Sequence, residues 1–551
     1  MLSRCVLTLL STCLLLAATA TAESEGFVHV SGMHFRDGAG RQLIPHGMAV
    51  INKSKAEGYT SWHTEADFER MRDWGMNCIR LGIIWDGLEP EPGKYDEAYL
   101  KRIDAQIAMA KRQGLYVFLD MHQDLFSVQY SDGAPPWATL SGGKQHLSGP
   151  VWSDSYLISP AVQQSFDSFW ADAPAPDGIG IQEHYVRLWR MLADRYKDET
   201  AILGFDLMNE PFMGSSVNTI NPVLLASPFA AMAVARLEGK VSQPEDLLAM
   251  WLTPEGRETI MGLMEDKELY AAFVDAHTEI CGAFEREHLM PMFQRIAHAI
   301  REVNPRHILL LETNYHANMG VYSAIEPLKL KDGSRDPQVA YAPHAYDIVV
   351  DTPALSKANF GRLEVILGRH GETAQRLNMP LLIGEWGAFG DAGKGVLPGA
   401  EFVVRQFERL QAGDTYWEYG KYVENSAYLR VLQRPMPLAV CGTLTQYSFD
   451  PETGRFECDW IDGAETAGPT RIYVPAWLGA DETNTNLDPH VPRVTWPEPG
   501  KPAATPAPGI ASMIRAVKDS KNLYWEIPST GEGNKRGFVV KGKPEKKLQA
   551  Q

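Results

Sequence analysis

The sequence predicts an α/β protein, a (β/α)8 TIM barrel followed by a C-terminal antiparallel β-sandwich domain. Three observations predict this architecture. The chain has 551 residues, 44% hydrophobic and 22% charged, which provides a large core and more than one domain. Apolar strand-like runs alternate with amphipathic helical patterns from residue 43 to about 420. After residue 430 the pattern changes to short strands separated by turns, as in a small β-sandwich.

The barrel prediction depends on strand-like segments that are mostly followed by helical patterns. Repeated βα units imply a parallel sheet, and eight of them over this length imply a closed barrel rather than a doubly wound sheet. The helical pattern over residues 64–74 has Thr64 as its N-cap. The eight predicted strands are residues 43–50, 77–84, 115–122, 202–209, 307–311, 339–344, 380–385 and 415–418.

A segment rich in Ala, Met and Leu interrupts this alternation at about residues 217–269. Its helical spacing indicates an insertion above the barrel, either a cap that packs on the barrel or a lid with an apolar surface. We therefore expect a signal peptide at 1–22, a catalytic barrel at 23–429 with this insertion, and the β-sandwich domain with a tail at 430–551.

The N-terminus resembles a secretory signal peptide. Arg4 is the positive start, residues 6–18 are apolar, and Ala20-Thr21-Ala22 is a small-residue cleavage site. A retained anchor is the alternative, and a lipoprotein signal at Cys13 fits less well. We expect secretion to the periplasm or the exterior. The formal net charge of −17 argues against a nucleic-acid partner.

Four cysteines remain after the predicted cleavage. Cys78 and Cys281 lie in apolar strand and helix patterns and are expected to be buried thiols. Cys441 and Cys458 flank a predicted hairpin and could form a disulfide, but the sequence does not fix the strand register that decides this. No cysteine or histidine cluster has the spacing of a zinc site.

Two glutamates lie at the ends of apolar strands, Glu210 in Asn209-Glu210-Pro211 and Glu385 in Glu385-Trp386-Gly387. The active site of a barrel lies at these carboxyl ends, so glutamates on the fourth and seventh strands can face each other across its mouth. Glycoside hydrolysis needs such a pair, one carboxylic acid and one nucleophile or base, and it needs no cofactor or metal. Glu312 and Tyr315 also follow a strand but have no assigned role.

These motifs, with Arg80 and His344-Ala345-Tyr346, resemble glycoside hydrolase family five, a retaining family with a (β/α)8 barrel. The run Asp120-Met121-His122-Gln123-Asp124-Leu125-Phe126-Ser127, with Asn52-Lys53-Ser54, is similar to that of the endoglycoceramidases within it. The resemblance covers roughly residues 28–475. It implies a glycosphingolipid substrate cut between glycan and ceramide, and transient contact with a membrane or micelle.

The resemblance also implies roles for individual residues. Glu210 is the general acid/base, Glu385 is the nucleophile, and Arg80 keeps Glu385 ionised. Tyr346 binds the nucleophile, His344 lines the acid/base side, and Asn209 binds the sugar 2-hydroxyl. The remaining sugar contacts are expected from Lys53, His122, Asp124, Trp417 as a stacking floor, and Trp170 on a looser match.

Several alternatives stay open. Arg80 could form a purely structural ion pair, His122 could be a satisfied core histidine, and Trp417 could be ordinary packing. A β-glucosidase acting on glucosylceramide or steryl glucosides keeps the same residues, and a β-glucan or mannan endo-hydrolase is a third enzymatic option. A carbohydrate- or lipid-binding barrel without activity is the non-enzymatic alternative. The sequence leaves the oligomeric state open.

Overall fold

A computed structural model describes residues 26–237, 239–251, 253–463, 468–480, 485–487, 515–518, 522–531 and 533–542. The predicted signal peptide and most of the C-terminal tail lie outside these residues. In chain order the described strands are β1 (His29–Ser31), β2 (His34–Arg36), β3 (Gln42–Leu43), β4 (His46–Val50), β5 (Cys78–Ile84), β6 (Tyr116–His122), β7 (Ile202–Asp206), β8 (Ile308–Leu311), β9 (Val339–Tyr341), β10 (His344–Ala345), β11 (Leu382–Gly387), β12 (Gly413–Trp417), β13 (Met436–Val440), β14 (Gly442–Asp450), β15 (Arg455–Asp462), β16 (Thr470–Pro475), β17 (Thr485–Leu487), β18 (Arg515–Lys518), β19 (Asn522–Ile527) and β20 (Lys535–Lys541).

Strands β4 to β12 form the predicted parallel barrel. Each strand from β4 to β8 pairs with the next, and β12 pairs back to β4. Segments β9 and β10 are two parts of one barrel strand, because β9 pairs with β8 while β10 pairs with β11. A parallel bridge between Tyr341 and Leu381 closes the ring. The nine segments therefore make up the eight strands expected from the sequence.

The described helices surround this barrel. Thr64 and Asp67 form a capping box at the first long helix, which confirms the predicted N-cap. In chain order the α-helices are Glu65–Asp73, Trp85–Leu88, Glu97–Arg112, Asp154–Ile158, Pro160–Trp170, Ile181–Arg195, Ile220–Leu225, Pro228–Arg236, Glu245–Trp251, Pro254–Leu263, Lys267–Asp275, Thr278–Phe284, Met290–Arg301, Phe360–Leu377, Leu397–Leu410 and Leu429–Leu432.

Short helices fill the segment between β7 and β8, where the sequence predicts an insertion. The helical segment begins with a 3-10 helix at Gly214–Thr219 and passes through a π-helical turn at Glu285–Leu289. It ends in Met290–Arg301, which packs on Ile181–Arg195 in the outer ring of barrel helices. Among the described residues no single helix has the length and apolarity to cross a membrane. Only the pair Gly214–Leu225 and Pro228–Arg236, bent by 53°, passes that test jointly.

The β-sandwich combines both ends of the described chain. Its four-stranded sheet has the order β14-β15-β20-β17, and its seven-stranded sheet has the order β1-β2-β3-β13-β16-β19-β18. Strands β1 to β3 precede the barrel, outside the predicted range of 430–551, and they pair antiparallel through β3 with β13. Val28, Phe35 and Leu43 pack beneath the barrel on its lowest interior residues, Cys78 and Phe118 among them.

The strand register of the β-sandwich decides whether its cysteines can form a disulfide. Cys78 and Cys281 are buried, as expected. Cys458 lies on β15 opposite Tyr447 and Phe538, so it does not face Cys441, which lies beyond the end of β13. Cys458 is a free thiol, and the disulfide considered from the sequence is not formed.

Candidate active site

The two strand-end glutamates meet at the carboxyl end of the barrel. An oxygen of Glu210, an oxygen of Glu385 and a ring nitrogen of His344 all lie within 4.8 Å of one another. Glu385 lies within β11. Glu210 follows the end of β7 by four residues, and its φ of +44° turns its side chain across the barrel mouth. A non-glycine residue with positive φ is strained and is common at functional sites.

Three side chains hold the Glu385 carboxylate. Arg80 Nη1 donates to Oε1, and the Tyr346 hydroxyl donates to Oε2 at 2.9 Å. His344 Nδ1 lies 3.5 Å from Oε2. Arg80 is fully buried on β5. With both oxygens bound by donors, the carboxylate is held in one orientation.

Arg80 is the centre of a buried charge cluster below the two glutamates. Its Nη2 lies 2.9–3.0 Å from carboxylate oxygens of Asp120, Asp206 and Glu312. Burial alone would lower the pKa of Arg80, but the carboxylates of Asp120 and Glu385 raise it well above its ordinary value. Burial and the neighbouring Glu312 raise the pKa of Asp206 well above its ordinary range. The cluster is therefore held together by a permanently charged guanidinium.

The surroundings of Glu210 differ from those of Glu385. Its Oε1 accepts from Asn318 Nδ2 at 2.6 Å and from His344 Nδ1 at 3.0 Å. Its backbone N–H donates to Glu312 Oε2 at 2.8 Å. The pKa of Glu210 is raised to about 7. Burial is the largest cause of this rise, and the charge of Glu385 adds to it, whereas the hydrogen bond and charge of His344 lower the pKa. Two carboxyl groups with different environments suit one acid and one nucleophile.

A second polar group lies on one side of this pair. Lys53 Nζ donates to Asp124, lies 3.6 Å from Asp132, and stands 4.8 Å from the centre of the Trp417 ring. The Trp417 ring stacks on His122 at 5.0 Å with an interplanar angle of 11°. Burial would raise the pKa of Asp124, but Lys53 and His122 hold it well below its ordinary range. Burial and the charge of Asp124 raise the pKa of Asp132 to about 6.

The structure brings together most of the predicted site residues, but not all of them. Asn209 is buried beside Arg80, its Oδ1 accepting from Nη2 at 2.9 Å while its Nδ2 donates to the Gln123 carbonyl. Trp170 is not placed at the carboxylates, because it lies in helix Pro160–Trp170 and its ring packs on Phe284 and His288. Its Nε1 donates to the carbonyl of Phe212, two residues after Glu210, at 2.9 Å, and the sugar contact of Trp170 stays a prediction.

Sequence reasoning missed two residues of the site and left one unassigned. Asn318 lies in a short 3-10 helix after β8 and Asp132 on the loop after β6, with no strand-end position to indicate them. Glu312 follows β8 directly and therefore had the strand-end signal. Its partners are Arg80, His344 and the N–H of Glu210, which all lie far from it in the sequence.

Three groups of acidic and histidine side chains are close enough to hold a metal ion, among the described residues. In the group of Asp120, Asp206 and Glu312, the guanidinium of Arg80 already lies among the carboxylates. In the group of His122, Asp124 and Asp132, the ammonium of Lys53 takes that place. The third is the pair Glu210 and Glu385 with His344. All three groups are thus part of one continuous acid, base and cation network.

A closed (β/α)8 barrel with two facing carboxylates at its mouth is the arrangement of a glycoside hydrolase. The profile of the cellulase family, glycosyl hydrolase family 5, matches residues 44–238 and 258–423, and the profile of the family 5 C-terminal domain matches residues 434–496. The chain therefore belongs to glycoside hydrolase family 5, as the sequence motifs indicated.

Three similar proteins extend this comparison. An endoglycoceramidase of Cyanea nozakii is 31% identical over 208 residues, 32% of this chain and 40% of that protein, so the chain matches less than half the length of that relative. Endoglycoceramidase I of Rhodococcus hoagii is 25% identical over 462 residues, 81% of this chain and 79% of that protein. The structure of endo-glycoceramidase II from Rhodococcus sp. as a lactosyl-enzyme intermediate is 25% identical, covers 93% of this chain and all of that one, and has a TM-score of 0.66.

Proposed function

We propose that this protein is a secreted retaining glycosidase that cleaves the β-glycosidic bond between the glycan and the ceramide of glycosphingolipids. The observation that carries the proposal is the separation of Glu210 and Glu385, whose nearest oxygens lie within 4.8 Å. Carboxyl groups about 5–5.5 Å apart are typical of retaining enzymes, whereas inverting enzymes keep about 6.5–9.5 Å for a water molecule. The similarity to a protein trapped as a lactosyl-enzyme intermediate supports the same mechanism.

The reaction proceeds in two displacements. Glu385 attacks the anomeric carbon and forms a glycosyl ester, while Glu210 gives its proton to the departing ceramide oxygen. Water then attacks the anomeric carbon of this ester while Glu210 takes a proton from the water. The bond between the anomeric carbon and the Glu385 oxygen breaks, which frees the carboxylate. The raised pKa of Glu210 suits the acid, and the guanidinium of Arg80 and the hydroxyl of Tyr346 hold Glu385 as the nucleophile.

The polar group around Lys53 binds the sugar end of the substrate. Trp417 presents a ring face to a pyranose, and Lys53, His122 and Asp124 offer donors and acceptors to its hydroxyls. Asn209 uses one lone pair for Arg80 and one amide hydrogen for Gln123, so a second amide hydrogen is left for the 2-hydroxyl.

Ceramide is received on the acid/base side. Leu157, Ile158 and Val223 are 41–47% exposed. Gln163 Nε2 donates to the Leu157 carbonyl and Gln163 Oε1 accepts from Asn218, so the Leu157 segment and the helices from Gly214 onward form one surface. Tyr156, in the same short helix as Leu157, packs on Phe212, two residues after Glu210. An apolar surface beside the leaving-group acid suits a lipid aglycone and contact with a membrane or micelle.

A glycolipid digest tests the proposal. The protein is incubated with lactosylceramide, a ganglioside and glucosylceramide, and the products are identified by mass spectrometry, with Glu385→Gln as the inactive control. Release of intact oligosaccharide and ceramide is the expected result. Glucose released only from glucosylceramide would instead indicate an exo-acting β-glucosidase, and cleavage of β-glucan or mannan alone would refute the lipid substrate.

Secretion is tested separately. N-terminal sequencing of the protein recovered outside the cytoplasm should begin at Glu23 if residues 1–22 are removed. A chain that still begins at Met1 in that fraction would contradict the signal-peptide prediction.

A further inference from the structure

Asn318 contacts the acid/base Glu210 and also Tyr346, the residue that donates a hydrogen bond to Glu385. It lies in the 3-10 helix Tyr315–Met319 after β8 and is buried. Its side-chain Nδ2 donates to Glu210 Oε1 at 2.6 Å, and its backbone carbonyl accepts from the Tyr346 N–H at 2.9 Å. The same helix is fastened to the segment after Glu210, because the Tyr315 N–H donates to the Pro211 carbonyl at 2.9 Å.

The two oxygens of the Glu210 carboxyl group are not equivalent. Oε1 accepts from Asn318 and from His344 Nδ1, whereas the described residues provide no hydrogen-bond donor to Oε2. Burial would lower the pKa of His344, but the charges of Glu312 and Glu385 raise it well above its ordinary value, so the ring is an imidazolium and both nitrogens carry hydrogens. Nδ1 therefore donates to Glu210, while Nε2 lies 3.1 Å from Glu312 Oε1. Two N–H groups pointing at one oxygen repel a hydrogen on that oxygen, so the proton of a neutral Glu210 resides on Oε2.

We propose that Asn318 is a positioning residue that, together with His344, confines the transferable proton of Glu210 to Oε2. This inference rests on the proposed function of Glu210 as the general acid/base. Oε2 is then the oxygen that gives the proton to the leaving group and that takes a proton from water in the second displacement. Without Asn318 the carboxyl group can rotate or carry its proton on the wrong oxygen.

The effect of losing Asn318 depends on the leaving group. A poor leaving group needs the proton in the transition state, and general acid catalysis contributes about 10²–10⁴-fold. A dinitrophenolate leaves without that help, and the attack of Glu385 is unaffected because Asn318 makes no side-chain contact with Glu385 among the described residues. A residue that merely stabilised the fold would slow both reactions equally.

Asn318→Asp is the sharpest variant, because it keeps the shape, removes the donor and adds a carboxyl group against Glu210. We expect kcat/KM for an alkyl or phenyl β-lactoside to fall by about tenfold or more, and for 2,4-dinitrophenyl β-lactoside by less than about twofold. The ratio of the two rates does not depend on how much enzyme is folded. Asn378→Asp, the same change at the exposed asparagine that follows helix Phe360–Leu377, should leave the ratio unchanged.

The pH profile is the second measurement. Two adjacent carboxyl groups share a proton, so the basic limb of kcat/KM should move to higher pH in Asn318→Asp and should not move in Asn378→Asp. The other titratable groups that face Glu210 are unchanged in both variants; they are Asp124, Tyr156, Tyr315, His344, Tyr346 and Glu385.

Two results would overturn the positioning role: an unchanged rate ratio in Asn318→Asp, whether both rates fall equally or neither falls, or a basic limb that does not move. Failure of the proposed function is recognised separately. In that case the unmodified enzyme cleaves neither lactoside, or Glu385→Gln retains the activity.

Discussion

Replacing Glu210 by Gln should make the protein more stable at alkaline pH. Glu210 is buried, and its pKa rises from 4.5 to about 7 in the folded state. Between these two values the folded chain holds a proton that the unfolded chain has lost, so stability falls as the pH rises from about 4.5 to about 7 and then levels off. At 1.36 kcal/mol for each pH unit, the folded state loses about 3 kcal/mol.

Glutamine resembles the protonated acid and does not titrate, so it avoids this loss. Urea unfolding of both proteins at pH values from 4 to 8.5 measures this loss of stability. The stability of Glu210→Gln minus that of the unmodified protein should increase by about 3 kcal/mol between pH 4 and pH 8.5. A flat or falling difference for Glu210→Gln would refute the buried, proton-holding carboxyl group.

Three further predictions concern the same site. Glu385→Ala should abolish turnover, and azide should restore a glycosyl azide of inverted configuration detectable by mass spectrometry; no product at high azide would argue against this nucleophile. The kcat/KM of the unmodified enzyme should fall as the pH rises above about 7 because Glu210 loses its proton, and a profile flat to pH 9 would contradict its role as the acid. Arg80→Met should cost about 3–5 kcal/mol in urea unfolding, because it leaves Asp120, Asp206, Glu312 and Glu385 without their shared guanidinium, and a cost below about 1 kcal/mol would show that the ion pairs matter little.

The barrel was predictable because each strand carries its own signal. The predicted strand at 115–122 is Tyr116–His122 in the structure, and the one at 77–84 is Cys78–Ile84. The strand before Glu210 ends at Asp206 rather than Asn209, because the Asn209 N–H turns to the Met121 carbonyl of β6. The end of this strand depends on a hydrogen bond to a neighbouring strand, and such a bond leaves no pattern in the local sequence.

Residues whose partners are distant in sequence were the hardest to predict. Strands β1 to β3 are only two or three residues long, so periodicity does not identify them. They join the rest of the sheet through β3, whose partner β13 lies about 400 residues later. The ring of Trp170 packs on Phe284, more than 100 residues later, a contact that its own helix does not indicate. Asn318 is an ordinary polar loop residue until the fold places it against Glu210.

The antiparallel pairing of β3 with β13 affects how the protein folds. Leu43 pairs with Ala439, so the N-terminal strands that cover the underside of the barrel meet their partner strand β13 only after the whole barrel has been synthesised. Contacts of such high sequence separation slow folding, and a chain cut after the last barrel strand would present an unpaired strand edge, a template for aggregation. The β-sandwich therefore shares strand β3 with the segment that leads into the barrel, and deleting the C-terminal domain is expected to impair folding of the barrel.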